Sequence, residues 1–468
     1  MKKICTILLV LAMLACFLLP VSGTQMQDSS VQNGCNTIEG AVTFLGSEQK
    51  IENTQSVILY ETTTDTLMYA YNADAQAYPA SLVKILTALI AIEQGVLTDA
   101  VVVRQDVLDT IPDEATDVDL VPDEVLSVED LLYCMMVGSA NDAAAVLADH
   151  VMGSQQAFVD ELNRYAQKLG CDSTNFTNVH GLHNDQQYTT ARDVCRLLAQ
   201  AIQNEKFCEI FETVSYTVPA TNMSEERNLT SGNYLVNNRS VEIYYDNRVT
   251  GSRTGVTTDR TRCVASVAKN GDLTLISVIL GSVDTYKDDG YTVKNFGGYR
   301  ETTALLDMGF NGYKTAQVFF AGQPIQQLNV PNGDSDLVIG PDTSAYSVLP
   351  YDADDKTLIY RYGDMKNLTA PIEKGQKISE LEVWSGSVCV ARADLFALNK
   401  VDTAAAINNI NSGRGNGIKL GRVIFTILGI VFSVLLLGFA ILCVIRGLRI
   451  RAAKKRSRRH SKNRRRSW

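Results

Sequence analysis

Three short motifs of this chain lie far apart in the sequence and must meet in space if they act together. Ser81-Leu-Val-Lys84 reads S-x-x-K, and Ser139-Ala-Asn141 reads S-x-N. Arg253-Thr-Gly255 reads as a K-T-G triad with arginine in place of lysine. A fold that serves all three has to bring a helix start, an interhelical loop and a strand to one point. This requirement excludes most arrangements of the chain.

The first motif predicts a nucleophile and its base. Ser81 opens an apolar stretch that is typical of a buried helix, and residues at i and i+3 share one helical face, so Lys84 reaches back over the Ser81 hydroxyl. A lysine acts as a base only when it is neutral, and burial near a helix N-terminus lowers its pKa. An isolated S-x-x-K is common by chance, so the assignment depends on the other two motifs.

The second motif predicts a proton relay and a substrate contact. The Ser139 hydroxyl can bridge Lys84 and a leaving amine, and the Asn141 amide can donate to a substrate carbonyl. Taken alone, this triplet reads as a loop between two helical segments.

The third motif predicts substrate binding beside a strand. Arg253 and Thr254 can clamp a carboxylate, and Gly255 lets a substrate approach the backbone closely. The N–H groups of Val256 and Ser81 are candidate oxyanion-hole donors. Taken alone, this segment reads as a glycine-rich turn before a strand.

Sequence patterning predicts helices and strands in the first part of the chain and an all-β part after it. From about 312 to 396, short alternating segments with turn residues indicate that β-domain. Earlier segments are expected to be strands at 55–60, 66–71, 241–250, 262–268 and 274–280, and helices at 81–93, 127–150, 155–169, 190–203 and 294–306. Ser127-Val-Glu-Asp130 is a capping box that opens the second of these helices.

Both ends of the chain predict export and membrane anchoring. Residues 1–23 have the layout of a signal peptide, with Lys2 and Lys3 before an apolar run. Residues 422–445 are expected to form a transmembrane helix, because Val423–Ile445 carries no charge over 23 residues. The 12 basic residues that follow within 446–468 mark a cytoplasmic tail, so the bulk of the chain lies outside.

Charge and cysteine usage narrow the possible partners. The whole chain has a net charge of −9, and without Lys2, Lys3 and the 12 tail cations it has −23, so we expect no nucleic-acid partner for the exported part. No cysteine or histidine cluster has metal-ligand spacing, so we expect no metal and no cofactor. Seven exported cysteines without a C-x-x-C pair fit one or two disulfides or a set of reduced thiols.

Together the motifs resemble the low-molecular-mass penicillin-binding proteins, the serine D-Ala-D-Ala carboxypeptidases of peptidoglycan maturation. The similarity extends to Tyr78-Pro-Ala-Ser-Leu-Val-Lys84, to Gly138-Ser-Ala-Asn-Asp-Ala-Ala144 and to Phe176-Thr-Asn-Val-His-Gly-Leu182. It covers about residues 50–310 well, and the β-region after 312 more loosely. Two motif positions depart from the family pattern: Arg253 replaces lysine, and Val83 replaces threonine.

The resemblance implies a fold class and a domain order. An α/β (α+β) penicillin-binding/β-lactamase-like transpeptidase domain is followed by a small all-β domain and one C-terminal transmembrane helix. The expected bounds are 24–45 for a flexible lead-in, 46–308 for the peptidase domain, 309–398 for the β-domain and 399–421 for a linker. The family more often has an amphipathic surface helix as its anchor.

The resemblance also implies a reaction and its alternatives. Ser81, Lys84 and Ser139 would be catalytic, and Asn141 with residues 253–256 would bind substrate. Peptidoglycan stem peptides are the implied substrates, and β-lactams the implied covalent inhibitors. The implied location is the outer face of the cell membrane in a Gram-positive-type bacterial envelope. The alternatives are a D,D-endopeptidase or weak transpeptidase at the same site, and a non-catalytic peptidoglycan-binding surface protein. A β-lactamase fits less well, because it lacks an extra β-domain and an anchor.

Overall fold

The structure is a computed structural model, and it describes residues 53–239, 242–351, 353, 357–365, 367–386 and 388–404. The expected signal peptide at 1–23, the lead-in at 24–45, the transmembrane helix at 422–445 and the basic tail at 446–468 lie outside the described residues. Within the described ranges, no helix is long and apolar enough to cross a membrane.

A five-stranded antiparallel sheet forms the centre of the larger domain. Its strands run in the order β2-β1-β9-β8-β7, so strands from both ends of the domain pair with each other. The bounds are β1 (Ser56–Glu61), β2 (Thr66–Tyr71), β7 (Val249–Val256), β8 (Thr261–Asn270) and β9 (Leu273–Val283). All six residues of β1 are buried, which is typical of a strand covered on both faces. Strand β7, which carries the third motif, lies at one edge of this sheet.

Helices cover both faces of the sheet. Their bounds are α1 (Val83–Gln94), α2 (Gln105–Leu108), α3 (Val128–Met136), α4 (Asn141–Met152), α5 (Gln155–Lys168), α6 (Ala191–Ala201), α7 (Glu205–Phe211) and α8 (Gly297–Gly312). Alternate residues of β1 belong to different cores, as the two-residue period of a strand requires. Ile58 lies in the core that contains α1 and α6, whereas Val57 and Leu59 lie in the core that contains α8.

The predicted helices are present, but one predicted range contains two helices instead of one. The region expected as one helical segment from 127 to 150 is two helices, α3 and α4, and Ser139 lies in the turn between them. Ser127 caps α3, because its Oγ accepts a hydrogen bond from the Asp130 amide at 3.0 Å. The interpretation of the second motif as a loop between two helical segments is therefore confirmed, whereas the single range 127–150 is divided into two helices.

One strand prediction is wrong. Within the predicted range 241–250, residues 242–248 do not lie in a strand: Glu242–Tyr244 is a short 3-10 helix, and β7 begins only at Val249. Asp246 explains the difference, because its carboxylate accepts hydrogen bonds from the amide and the side chain of Arg248 and so holds a turn there. The last helix of the domain also begins later than expected, at Gly297, and extends to Gly312.

The part of the chain after α8 is all-β, which confirms that prediction. Its strands are β12 (Tyr313–Phe319), β13 (Gln326–Leu328), β14 (Leu337–Pro341), β15 (Ala345–Pro350), β16 (Leu358–Tyr362), β17 (Lys377–Ser385) and β18 (Val388–Ala397). Five of them form a sheet in the order β13-β14-β18-β17-β16, and β12 pairs with β15.

Three further pairs of short strands are present among the described residues. They are β3 (Ala100–Val102) with β4 (Val125–Ser127), β5 (Ser215–Val218) with β6 (Arg227–Thr230), and β10 (Thr285–Tyr286) with β11 (Val293–Asn295). Among the described residues, 329–336, 369–372 and 401–404 belong to a second, smaller unit. In its described part, Ile372 bridges to Val401 and Gly333 bridges to Thr403.

Candidate active site

Ser81 lies in a tight turn that leads into α1. A 3-10 turn spans Ala80–Leu82 and continues directly into the helix at Val83. Ala80 has φ of +47°, in the left-handed region that costs a non-glycine residue on the order of 1 kcal/mol. Ser81 itself is half-buried. The turn thus places the serine at the surface end of an otherwise buried helix.

Lys84 is fully buried beneath Ser81 and contacts three oxygens. Its Nζ lies 2.7 Å from Asn141 Oδ1, 3.1 Å from the Ser139 carbonyl oxygen and 3.4 Å from Ser81 Oγ. The first two are carbonyl oxygens, which only accept hydrogen bonds; the Asn141 side chain turns its oxygen, not its NH2 group, toward Lys84. A neutral amine has two N–H donors and one lone pair, so these two acceptors take both donors. The lone pair is then left for the Ser81 hydroxyl proton.

The surroundings of Lys84 favour the neutral amine. Burial is the main cause that lowers its pKa well below the ordinary value, and the nearby positive charge of Arg253 lowers it further. The negative charge of Asp142 acts in the opposite direction, with a smaller effect. The lysine therefore meets the electrostatic condition for a general base.

The second motif forms a rigid corner between α3 and α4. Ser139 has φ of +61°, a second left-handed non-glycine residue at the site. Asn141 is fixed by its neighbour Thr116, whose carbonyl oxygen accepts from the Asn141 backbone N–H at 2.8 Å and from Nδ2 at 2.9 Å. Those bonds orient the Asn141 side-chain oxygen toward Lys84.

Arg253 lies below the site rather than in it. Its guanidinium donates to Met136 O at 2.7 Å, to Ser139 Oγ at 2.8 Å and to Ser81 O at 3.4 Å. Burial lowers the pKa of Arg253 to about 10, so it remains charged at neutral pH. Because Ser139 Oγ accepts from Arg253, its own proton is free to point elsewhere. Lys84 meets Ser139 through the backbone carbonyl oxygen.

Two glycines pack against the nucleophile turn. A Cβ on Gly255 would lie 2.6 Å from the Ser81 nitrogen, and one on Gly181 would lie 2.0 Å from the Ala80 carbonyl oxygen. Gly181 also has φ of +90°. His180 precedes it, and burial lowers the pKa of this histidine to about 3, so it is neutral. Its Nδ1 accepts from the Leu182 amide.

A cleft of about 440 Å³ opens above these residues. Of the eight predicted site residues, Ser81, Ser139, Asn141, Thr254, Gly255 and Val256 line it, whereas Lys84 and Arg253 lie beneath its floor. Other lining residues are Tyr78, Pro79, Ala80, Glu114, Ala115, Thr116, Gly181, Leu182, His183, Asn184, Gln187, Thr257, Thr258 and Arg262. No group of histidine, cysteine or acidic residues within the described ranges could hold a metal ion.

The structure brings all eight predicted residues together. Arg253 lies beneath the cleft, whereas the sequence predicted that it would contact the substrate. Arg253 was expected at a substrate carboxylate, but its three hydrogen bonds hold it under the cleft because its side chain points from β7 toward the α3–α4 corner. Sequence reasoning also missed Met136, Thr116 and Arg262, since two of them act through backbone oxygens that carry no sequence signal. Gly181 had one available signal: it lies in the segment quoted for the family resemblance.

These features define a serine hydrolase of the penicillin-binding type. Residues 44–284 match the D-alanyl-D-alanine carboxypeptidase family, Peptidase S11, and residues 313–403 match the penicillin-binding protein 5 C-terminal domain. The chain belongs to this D-alanyl-D-alanine carboxypeptidase family. The family and function class predicted from the motifs are thereby confirmed.

Individual relatives agree with this membership. The chain is 30% identical over 365 residues to D-alanyl-D-alanine carboxypeptidase DacA of Haemophilus influenzae, covering 76% of this chain and 87% of that protein. DacF of Bacillus subtilis is 26% identical, with 78% and 90% covered. The crystal structure of penicillin-binding protein 5 from Haemophilus influenzae aligns with a TM-score of 0.58 at 28% identity, covering 76% of this chain and 99% of that one.

We expect Gly255→Ala to displace the nucleophile. The new Cβ would lie 2.6 Å from the Ser81 nitrogen and 2.8 Å from Ala80 Cβ, both too close for real contacts. Strand β7 is held by its pairing with β8, so the Ser81 turn has to move. A displacement of this size lowers the rate of acylation by penicillin by about 100-fold.

Stopped-flow acylation with a fluorescent penicillin measures this effect. Gly232→Ala is the matched control, because nothing lies within 4 Å of its added Cβ. Acylation of Gly255→Ala at the wild-type rate would show that the close approach of β7 to Ser81 is not required.

Proposed function

We propose that this chain removes the terminal D-alanine from peptidoglycan stem peptides through an acyl-enzyme on Ser81. The observation that carries the proposal is the buried Lys84 amine, whose two N–H donors are taken by Asn141 Oδ1 and Ser139 O while its third position faces Ser81 Oγ. That is the arrangement a neutral base needs beside a serine nucleophile.

Acylation begins when Lys84 accepts the Ser81 hydroxyl proton. Ser81 Oγ then attacks the carbonyl carbon of the penultimate D-alanine, and the negative charge moves to the carbonyl oxygen. The Ser81 and Val256 N–H groups are the proposed donors to that oxygen; Gly255, which lies against the Ser81 nitrogen, is the residue before Val256. The C–N bond breaks when the departing nitrogen receives a proton.

Ser139 is the proposed donor of that proton. Its Oγ accepts a hydrogen bond from Arg253, which leaves its hydroxyl proton free for the amine of the departing D-alanine. The protonated Lys84 then returns a proton to Ser139. Hydrolysis follows when water attacks the ester carbonyl, Lys84 accepts the proton of the water, and Ser81 leaves with a proton.

We propose that the enzyme acts at the outer face of a bacterial cell membrane. The support is in the sequence: an N-terminal signal pattern at 1–23, and an uncharged stretch at Val423–Ile445 followed by 12 basic residues. A single span with the catalytic domain outside gives the site access to cell-wall peptides. No specific observation favours the endopeptidase, transpeptidase or non-catalytic alternatives.

We expect Ser81→Ala to abolish both covalent labelling by fluorescent penicillin and release of D-alanine from a peptide that ends in D-Ala-D-Ala. The physical reason is the loss of the nucleophilic hydroxyl, whose oxygen lies 3.4 Å from Lys84 Nζ in a residue that lines the cleft. Gel fluorescence and a D-alanine assay on the purified exported domain measure the two outcomes. Ser335→Ala, at an exposed serine, is the control. An unlabelled wild-type protein would contradict the proposal.

The pH dependence of acylation should move when the charge of Arg253 is removed. The rate falls as pH drops through the pKa of Lys84, because the protonated amine cannot accept the Ser81 proton. Arg253 lowers that pKa, so Arg253→Gln raises it and moves the acid limb of the rate profile to higher pH. Below the limb, each unit of upward movement means about a tenfold lower rate.

Arg253→Lys is the matched control for this experiment. It retains the positive charge, so its acid limb should stay near that of the wild type even if the rate falls through lost hydrogen bonds. The measured quantity is the midpoint of the limb for penicillin acylation, which a simple loss of folded protein does not move. An unmoved limb in Arg253→Gln would contradict the electrostatic role.

A further inference from the structure

One charged side chain of the cleft has no role in the scheme above. Arg262 comes from β8, and it is the sole lysine or arginine among the described residues that line the cleft. The residue is 8% exposed. A cation that is nearly buried and still reaches a substrate cleft can interact strongly with an anionic ligand, because little water screens it.

Arg262 is held rigidly from two sides. Asp284 accepts from Nε at 3.1 Å and from Nη2 at 2.6 Å, and its other oxygen also accepts from the Gly297 amide at 2.9 Å. The guanidinium carbon lies 4.7 Å from the centre of the Phe296 ring and 5.1 Å from that of Tyr299. A guanidinium fixed in this way loses little conformational freedom when it binds a ligand.

One edge of this guanidinium remains available. The Nη1 group makes no hydrogen bond to any residue that the structure describes, whereas Nε and Nη2 are both taken by Asp284. Gly298 makes room for the aliphatic part of the Arg262 side chain, since a Cβ there would lie 3.2 Å from Arg262 Cδ. The open edge offers two N–H donors to one carboxylate.

The strand register places Arg262 beside the binding edge. Across β7 and β8 it is paired with Val256, the residue after the glycine that touches the Ser81 nitrogen. Thr254, two residues earlier on the same face of β7, also lines the cleft. Arg253 is committed to three oxygens under the floor, so it leaves the carboxylate of a bound peptide to another cation.

We propose that Arg262 binds the terminal carboxylate of the substrate through Nη1, with Asp284 as its positioning residue. This inference rests on the proposed carboxypeptidase function and names the residue that recognises the free C-terminus. A peptide whose C-terminus is blocked or continued lacks the carboxylate and loses this contact. Arg262 therefore sets the preference of the site for chain ends.

Two substrates that differ only at the C-terminus test this role. An acetylated tripeptide ending in D-Ala-D-Ala is compared with its C-terminal amide, by release of D-alanine or D-alaninamide. We expect Arg262→Gln to lower kcat/KM for the acid by about 30-fold, mainly through KM, and to change that for the amide by less than about twofold. Arg262→Lys should recover part of the preference for the acid.

Arg260→Gln is the matched control, because this neighbouring arginine is exposed and its guanidinium lies over the Tyr286 ring. An equal loss on both substrates in Arg262→Gln would mean that the arginine only supports the fold, and would overturn the inference. An unchanged acid-to-amide ratio, in protein that penicillin still labels at Ser81, would overturn it while leaving the proposed function intact. Failure of the wild type to be labelled would overturn both.

Discussion

The buried amine of Lys84 is the constraint on which the rest of the site depends. A lysine loses its proton readily only where water is excluded, so the helix that carries it has to be apolar on nearly every side. The amine still needs acceptors for its N–H groups, and the α3–α4 corner provides them through Asn141 and Ser139. Ser81, one turn earlier, then receives the remaining position. The fold fixes the position and the surroundings of this one nitrogen, and the proposed chemistry depends on both.

Arginine at position 253 changes how the floor of the site is built. Its planar fork reaches three oxygens on three segments: the Ser81 turn, the end of α3 and the Ser139 hydroxyl. A lysine has one nitrogen and cannot span them in the same way. The substitution therefore ties the nucleophile turn to the relay corner more firmly, and it keeps a permanent positive charge near Lys84. In the proposed scheme the substrate carboxylate is bound by Arg262, which lies on the neighbouring strand β8.

Much of this could be predicted from the sequence, and the reasons for the misses are physical. Lys84 and Ser81 are linked by helix periodicity, so their contact follows from spacing alone. The direction of the Arg253 side chain depends on which face β7 turns toward the α3–α4 corner, and the sequence did not predict a strand at 253 because the turn held by Asp246 delays the start of β7 to Val249. Pairing of β1 with β9 joins segments more than 200 residues apart, which no local pattern encodes. Arg262 gave no signal because its importance comes from Asp284 and the rings around it.

The edge position of β7 has a consequence for recognition. On its outer side an edge strand has backbone N–H and C=O groups without a strand partner, and an extended peptide can add to it as a further strand. Main-chain hydrogen bonds of this kind read the shape and direction of a peptide rather than its side chains. An enzyme that binds its substrate along such an edge can accept stem peptides of varied composition. Its selectivity then depends mainly on the two C-terminal residues of the substrate peptide.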